Sequence, residues 1–558
     1  MTAEQGFFCA CGKPRCCQFG GGMKRPIKTQ HILLALYLLG FTAVFINTAW
    51  LCDDIFITFR AVDNFLKGYG PVWNVGERVQ AYTHPLWYAL LVIGIGIFKH
   101  HYWFTLALSY ACLLGTLYLF LKIARYGNMA LAMLASVALL LSRAFADYSS
   151  SGLENPLLQL LLCAYVLVAI TQADAARRFL YTGLLYSLLF LTRPDSIFLV
   201  TPTSLWMLWQ AYKACGWKRT LKLTAIAAAP AVVWEEFSLI YYGSLVPNTA
   251  IAKMNLGYPR SEMLARGWNY LMHGIAVDPV TLGTILLAAP ISIFLGKSHL
   301  PKLLMAGVAL QLGYICWVGG DYMQGRFLTT SLLAAAIAIA LSKNCLQNSN
   351  KVFAVSLAAF YGTLIIIRIV APQTFTANIR YAADYSTQSS LSYWEANGEY
   401  GQSDQRAFYY PNLGLLTVVK KHSFNPYTHM WIQEGRQIND EIIVRGDIGM
   451  FGWGAWEYSH IIDTCALGDP FLARLPALPK GNIGHYLRPI PKVYIESLTS
   501  GKNFLTEPVL ASLYDDVAMA ARGLLFFSKK RWEGIWRLNT GYYNHIQLRT
   551  LGVYMAPE

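Results

Sequence analysis

At 558 residues, with a mean hydropathy of +0.37, 55% hydrophobic residues and only 14% charged ones, the chain is too apolar for a soluble protein of its size and falls among polytopic membrane proteins. Its 45 Lys and Arg against 31 Asp and Glu leave a formal charge of +14. That excess gathers in short loops between apolar runs, where it reads as membrane topology, and with no basic helix or aromatic RNA-binding motif beside it a nucleic-acid partner is set aside.

Residues 1–30 read as a disordered cytoplasmic segment. They carry Cys9, Cys11, Cys16 and Cys17, a C-x-C-x4-C-C spacing that lacks the paired C-x2-C of ordinary zinc modules. Met23 to Lys28, ahead of an apolar run, looks like a natural start for an uncleaved signal anchor. Apolar runs of about bilayer-spanning length then follow near 31–50, 103–121, 128–142, 156–171, 179–192, 196–212, 223–242, 280–296, 303–318, 327–342 and 352–370. This predicts an α-helical polytopic membrane domain over 31–370 with about 11 transmembrane helices. The basic loops Lys24–Lys28, Lys122–Arg125, Arg177-Arg178, Lys213–Lys222, Lys297–Lys302 and Lys343–Lys351 are assigned to the cytoplasm. The alternating loops then face outward, provided that the shorter run 86–98 is a re-entrant or half-inserted segment. After about residue 371 the composition shifts to Trp, Tyr, Gly and Pro without a comparable apolar run, which predicts a C-terminal mixed α/β extracytoplasmic domain over 371–558, long enough to bury its own core.

The first outward loop, 51–85, opens with Asp53 and Asp54 where a membrane helix would be leaving the bilayer. Carboxylates at that depth are costly, so they point to function, although the pair could also cap a helix. The other outward loops hold acids, amides and aromatics beside single cations, whereas the inward ones do not. Polar chemistry is thus concentrated on one face, unlike a transporter with mid-membrane ionisable groups in repeated halves.

Taken in order, CDDIFITFR, GYGPVWNVGERVQAYTHPLW, SSGLENP, LTRPD, GSLVPNTAIAK, GGDYMQGRF, GDIGMFGWG, IIDTCALGDP and GNIGH resemble the terminal β-(1→2)-arabinofuranosyltransferases of mycobacterial cell-wall synthesis, within the GT-C glycosyltransferases. The likeness runs from about Asp53 to His485. It implies a GT-C fold and an inverting transferase that takes a sugar, in that family D-arabinofuranose, from a polyprenyl phosphate and adds it to a cell-envelope glycan. The implied location is the outer side of a bacterial cytoplasmic (inner) membrane. The N-terminal cysteine segment has no counterpart in the resemblance. Three alternatives stay open: another polyprenyl-phosphate-linked sugar, a protein acceptor such as pilin, and a lipid-linked-sugar transporter.

Inverting transfer to a hydroxyl needs a base on the acceptor side and cations at the departing phosphate. Asp53 is the expected base and Asp54 the residue that orients acceptor, loop or metal, the pair standing where GT-C enzymes commonly hold their catalytic acid. Lys253, Arg326, Arg193 and His485 are expected at the donor phosphate. Glu154, Asn248, Asp321, His84 and Tyr82 are expected at sugar hydroxyls. No cofactor is expected, and weak dependence on magnesium or calcium stays open, because Asp53, Asp54 and another outer acid supply hard oxygen ligands.

Overall fold

A computed structural model describes residues 27–342, 362, 402–548 and 554–555, apart from 255, 297 and 480–482. The N-terminal cysteines and nearly all of the expected span at 352–370 lie outside the described residues. Helix Ile27–Thr48 comes first, and the chain divides within it into two compact units, Met1–Ala43 and Val44–Glu558. All further helices and strands belong to the second unit.

The apolar runs become helices whose ends are set by polar residues. Asn128 accepts the amides of Ala130 and Leu131 to start Met129–Leu141, Asp174 accepts that of Arg177 to start Ala175–Thr192, and Asp278 does the same for Thr281 at the head of Pro279–Pro290. Thr329–Leu341, TTSLLAAAIAIAL, is buried along its whole length and packs against Met129–Leu141, Pro279–Pro290 and His299–Val318. Its small residues allow that close approach from several sides.

Among the described residues three helical stretches are long and apolar enough to cross a membrane: His101–Ala124, Pro194–Tyr241 and His299–Val318. A fourth results if Arg260–Val277 and Pro279–Phe294, bent by 108° between them, count as one span. These stretches mark a membrane protein. Helix Pro85–Phe98 has 14 residues, about 21 Å at 1.5 Å per residue, against roughly 30 Å of hydrocarbon.

The long helix Ile197–Tyr241 contains two of the expected runs. Gly216, at φ 74° and ψ 170°, breaks it, a conformation only glycine takes without strain. On helix Ala175–Thr192, Tyr186 bonds Thr201 from before the break, and its neighbour Ser187 bonds the carbonyl of Ala227 from after it. Both halves therefore lie beside the same stretch of that helix, and the chain folds back at Gly216. Tyr241 returns to the side that holds Arg193.

After residue 402 the described chain forms short helices and two two-stranded sheets. Ile442–Arg445 runs parallel to His460–Asp463, with Ile442 opposite His460, and Ile490–Pro491 pairs antiparallel with Tyr554–Met555. The core of this region is shared with earlier parts of the chain. Ile57, Trp73, Ala81 and Ala252 are buried in one cluster with Phe451, Ile461, Phe471, Tyr494 and Leu513. Arg60 donates to the carbonyls of Gly452 and Ser459, while Asn74 exchanges two 3.1 Å hydrogen bonds with the main chain of Ile461.

Candidate active site

Helix Asp54–Leu66 leaves the apolar region with Asp53 at its N-cap, yet the Asp53 side chain makes no cap bond to its own helix. It reaches instead to the C-terminal region. Oδ2 accepts the amide of Gly449 at 3.1 Å and Oδ1 that of Met450 at 2.6 Å. The approach requires glycine: a Cβ on Gly449 would lie 2.2 Å from the Asp53 carbonyl oxygen and 2.3 Å from Oδ2. The spaced glycines of GDIGMFGWG thus serve contact with the first loop, since Gly452 in turn lies against the Trp73 ring.

Asp53 and Asp54 line a cavity together with Tyr322, His485, Asp447 and an aromatic wall of Phe408, Tyr409 and Trp431. Burial pushes the Asp53 carboxyl up to about 8, the bond from Met450 opposes it, and the nearby charges of Asp447 and Asp54 add to it. Asp54 Oδ1 accepts the Tyr322 hydroxyl at 2.9 Å. Burial, then the charges of Asp54 and Asp321, raise the Tyr322 phenol well above its ordinary value, so it remains a donor. Tyr322 also meets the His485 ring edge-on at 4.3 Å, and the Lys253 ammonium lies 6.0 Å from its ring centroid. Burial lowers the His485 pKa and favours the neutral ring, although the charges of Asp54 and Asp447 oppose it.

Beneath Tyr322 is a buried charge network centred on Glu154. Its Oε1 lies 3.1 Å from Arg193 Nη1 and 3.0 Å from Arg326 Nη2, and its Oε2 lies 3.3 Å from His84 Nδ1. Burial works against the Glu154 charge, but Arg326, His84 and Arg193 outweigh it and hold the carboxyl well below the ordinary range. Arg193 also bonds Asp195 at 2.8 Å, and Arg326 Nη1 lies 3.7 Å from Asp321. Arg193 and Arg326 line a second, small cavity with Asn155, Gln311 and Phe327.

No family model matches this chain, and no solved structure matches it. Two relatives do. A terminal β-(1→2)-arabinofuranosyltransferase of Corynebacterium glutamicum is 26% identical over 517 residues, covering 78% of this chain and 72% of the relative. The protein of the same name in Mycobacterium tuberculosis is 30% identical over 321 residues, 51% of either chain. The chain resembles the terminal β-(1→2)-arabinofuranosyltransferases.

Set beside that resemblance, the residues expected at the site form two groups, with two residues outside both. Asp53, Asp54 and His485 share the main cavity, with Lys253 behind Tyr322. Arg326, Arg193, Glu154, Asp321 and His84 form the buried network, where both arginines already hold carboxylates. Asn248 and Tyr82 lie in neither group. The Asn248 amide donates to the carbonyls of Ala466, Leu467 and Asp469, and Tyr82 stacks on Tyr88 at 4.2 Å and bonds the Tyr242 hydroxyl.

Sequence reasoning missed Tyr322, Asp447 and the aromatic wall. Tyr322 and Asp447 both stand inside motifs that carry the resemblance, GGDYMQGRF and GDIGMFGWG. Phe408, Tyr409 and Trp431 belong to none, and only the fold brings them opposite the acid pair.

Proposed function

We propose that this protein is an inverting glycosyltransferase that moves D-arabinofuranose from a polyprenyl phosphate to a cell-envelope glycan on the outer side of a bacterial cytoplasmic membrane. The observation that carries it is the cavity that joins Asp53 and Asp54 to an aromatic wall and to His485, in a chain similar to two named arabinofuranosyltransferases. Asp53 acts as the base. The acceptor hydroxyl attacks the anomeric carbon from the side opposite the phosphate, its proton passes to Asp53, and the bond from anomeric carbon to phosphate oxygen breaks with its electron pair going to the polyprenyl phosphate. A carboxyl raised to about 8 is well matched to taking a proton near neutral pH. Asp54, held by Tyr322, orients the acceptor. Lys253 and Arg326 supply the positive field at the departing phosphate, His485 stands beside Asp54 in the same cavity as a neutral ring, and Phe408, Tyr409 and Trp431 offer faces on which a sugar ring can stack.

The donor carries a monophosphate rather than a diphosphate, so the reaction proceeds without a divalent metal. The test is purified protein in nanodiscs with polyprenyl-phosphate arabinofuranose and a short arabinan acceptor. A product heavier by one pentose, formed equally in EDTA and lost in Asp53→Asn, is expected. Donor binding without any pentose product would overturn the acceptor assignment, and activity restored only by added magnesium or calcium would overturn the metal-free one.

A further inference from the structure

Arg531 is fully buried in the C-terminal region, where an unpaired charge would be costly. Its guanidinium is consumed by main-chain carbonyls: Ile240 at 2.8 Å, Tyr241 at 3.4 Å, Ala520 at 3.1 Å and Leu525 at 3.1 Å. Arg78 of the first loop adds a second cation at the same place, donating to Tyr241 at 3.2 Å, to Ala520 at 3.3 Å and to Gly523. Two arginines thus close the last carbonyls of the apolar run Pro194–Tyr241, where a helix end has unpaired acceptors and partial negative charge. In doing so they fix residues 520–525 at the point where that helix ends.

What projects from this fixed point is apolar. Leu524 is 78% exposed, Phe526 53% and Phe527 105%. The next helix, Lys529–Asn539, turns Ile535 and Arg531 inward. Trp532 and Trp536, four residues apart and so on one face, are both exposed, as are Lys529 and Lys530. Together these side chains leave on the order of several hundred Å² of apolar surface in water, the size of patch that marks an interaction site. The patch continues the outer face of the membrane helix. Val233 and Phe237 are exposed one to two turns before its end, and the Phe237 ring stacks on Tyr241 at 5.2 Å.

We propose that residues 524–536 are an interfacial anchor seated in the lipid leaflet beside the end of helix Ile197–Tyr241. Leu524, Phe526 and Phe527 enter the acyl region, Trp532 and Trp536 lie at the headgroups, and Lys529 and Lys530 meet lipid phosphates. Each residue type is at the depth where its transfer free energy is favourable, and lysines near an anionic surface add attraction that salt weakens. The depth follows from the arginine clamp, because the anchor is tied to the last turn of a helix that itself crosses the bilayer.

The test places an environment-sensitive fluorophore at Phe527→Cys, and separately at Phe526→Cys, in full-length protein in nanodiscs, with the signal of the unsubstituted protein subtracted. Lys502→Cys serves as the aqueous reference, because Lys502 is exposed and its neighbour Asn503 bonds Ala511, about 18 Å from Gly523 along helix Pro508–Arg522. Expected are a blue-shifted emission at 527 and 526, quenching by nitroxide-labelled lipid, and shielding from iodide, with the reverse at 502. Adding phosphatidylglycerol to phosphatidylcholine discs should increase the lipid quenching, and Lys529→Gln with Lys530→Gln should remove that increase. Iodide quenching at 527 and 526 equal to that at 502 would overturn the proposal. So would energy transfer between labels on two copies in place of lipid quenching, which would make the patch a contact between protein chains.

Discussion

Asp53 and Glu154 are both buried carboxylates, and their surroundings drive them in opposite directions. Asp53 has two amides as partners but two acids as neighbours, and burial carries its pKa up to about 8. As the base it must be ionised, so kcat should rise with pH and level off above about 8, and Asp53→Asn should lower it by roughly 10²–10⁴-fold with donor KM little changed. A flat profile between pH 6 and 9 would remove Asp53 from that role. The same shift has the opposite sign for stability. The folded state holds the Asp53 proton more tightly than the unfolded chain, so its contribution is full below the ordinary carboxyl range and declines as pH rises towards about 8. Glu154 is depressed by Arg326, His84 and Arg193, so its contribution is present above the ordinary carboxyl range and is lost as pH falls below it. Glu154→Gln leaves Arg193 with Asp195 and Arg326 with Asp321, a partial loss for which about 3 kcal/mol is expected. Thermal unfolding in detergent should show a lowered Tm at neutral pH and a smaller further drop on acidification than in the parent protein.

At the scale of elements, the site depends on the short helix Gly449–Gly454 docking on the start of helix Asp54–Leu66. Gly449→Ala places a methyl against main-chain and carboxylate oxygens of Asp53, which cannot yield as a flexible side chain would. Loss of both Asp53 hydrogen bonds and of about 1–3 kcal/mol is expected, read as reduced kcat together with reduced Tm. Gly313→Ala, where an added Cβ meets nothing within 4 Å, should leave both unchanged. The glycine spacing was visible in the sequence, but its partner was not, because Asp53 and Gly449 are 396 residues apart. Local signals fared better. The apolar runs near 128–142, 179–192 and 280–296 were legible as helices, whereas their starts at Asn128, Asp174 and Asp278 are set by caps that a hydropathy run does not mark. The acid pair was legible because two carboxylates at the end of an apolar run are costly anywhere. The arginine network was legible only as single charged residues in separate loops, since which carboxylate neutralises which arginine is decided by packing. The fold-back at Gly216 left only a basic, Gly-containing interval between two apolar runs, and the wall of Phe408, Tyr409 and Trp431 left no periodic trace at all.

At the scale of the whole molecule, the C-terminal region draws its core from both sides of the expected boundary near residue 371. Trp73 is fully buried, with Gly452 and Gly468 against its ring and Arg60 stacked over it at 5.0 Å. A tryptophan buries roughly 200 Å², worth about 5 kcal/mol at 25 cal/mol per Å², comparable to the whole stability of a small domain. Ile57, Ala81 and Ala252 add to that loss. Without residues 51–85 and 243–253 the amide of Asn74 no longer bonds Ile461, Asn248 no longer bonds the turn 466–469, and Arg488 loses the carbonyl of Ala252. Residues 402–558 produced alone should therefore lack a cooperative thermal transition and should bind a hydrophobic dye, whereas co-production with residues 1–401 should yield a purifiable complex with a single transition. A sharp, dye-free transition for residues 402–558 alone would mean that the region stabilises itself and that Trp73 is a docking contact rather than part of its core. If the two pieces instead fold only together, the Gly449 and Met450 amides that hold Asp53 come into place in the same step that buries Trp73, and the acid pair acquires its geometry only in the assembled chain.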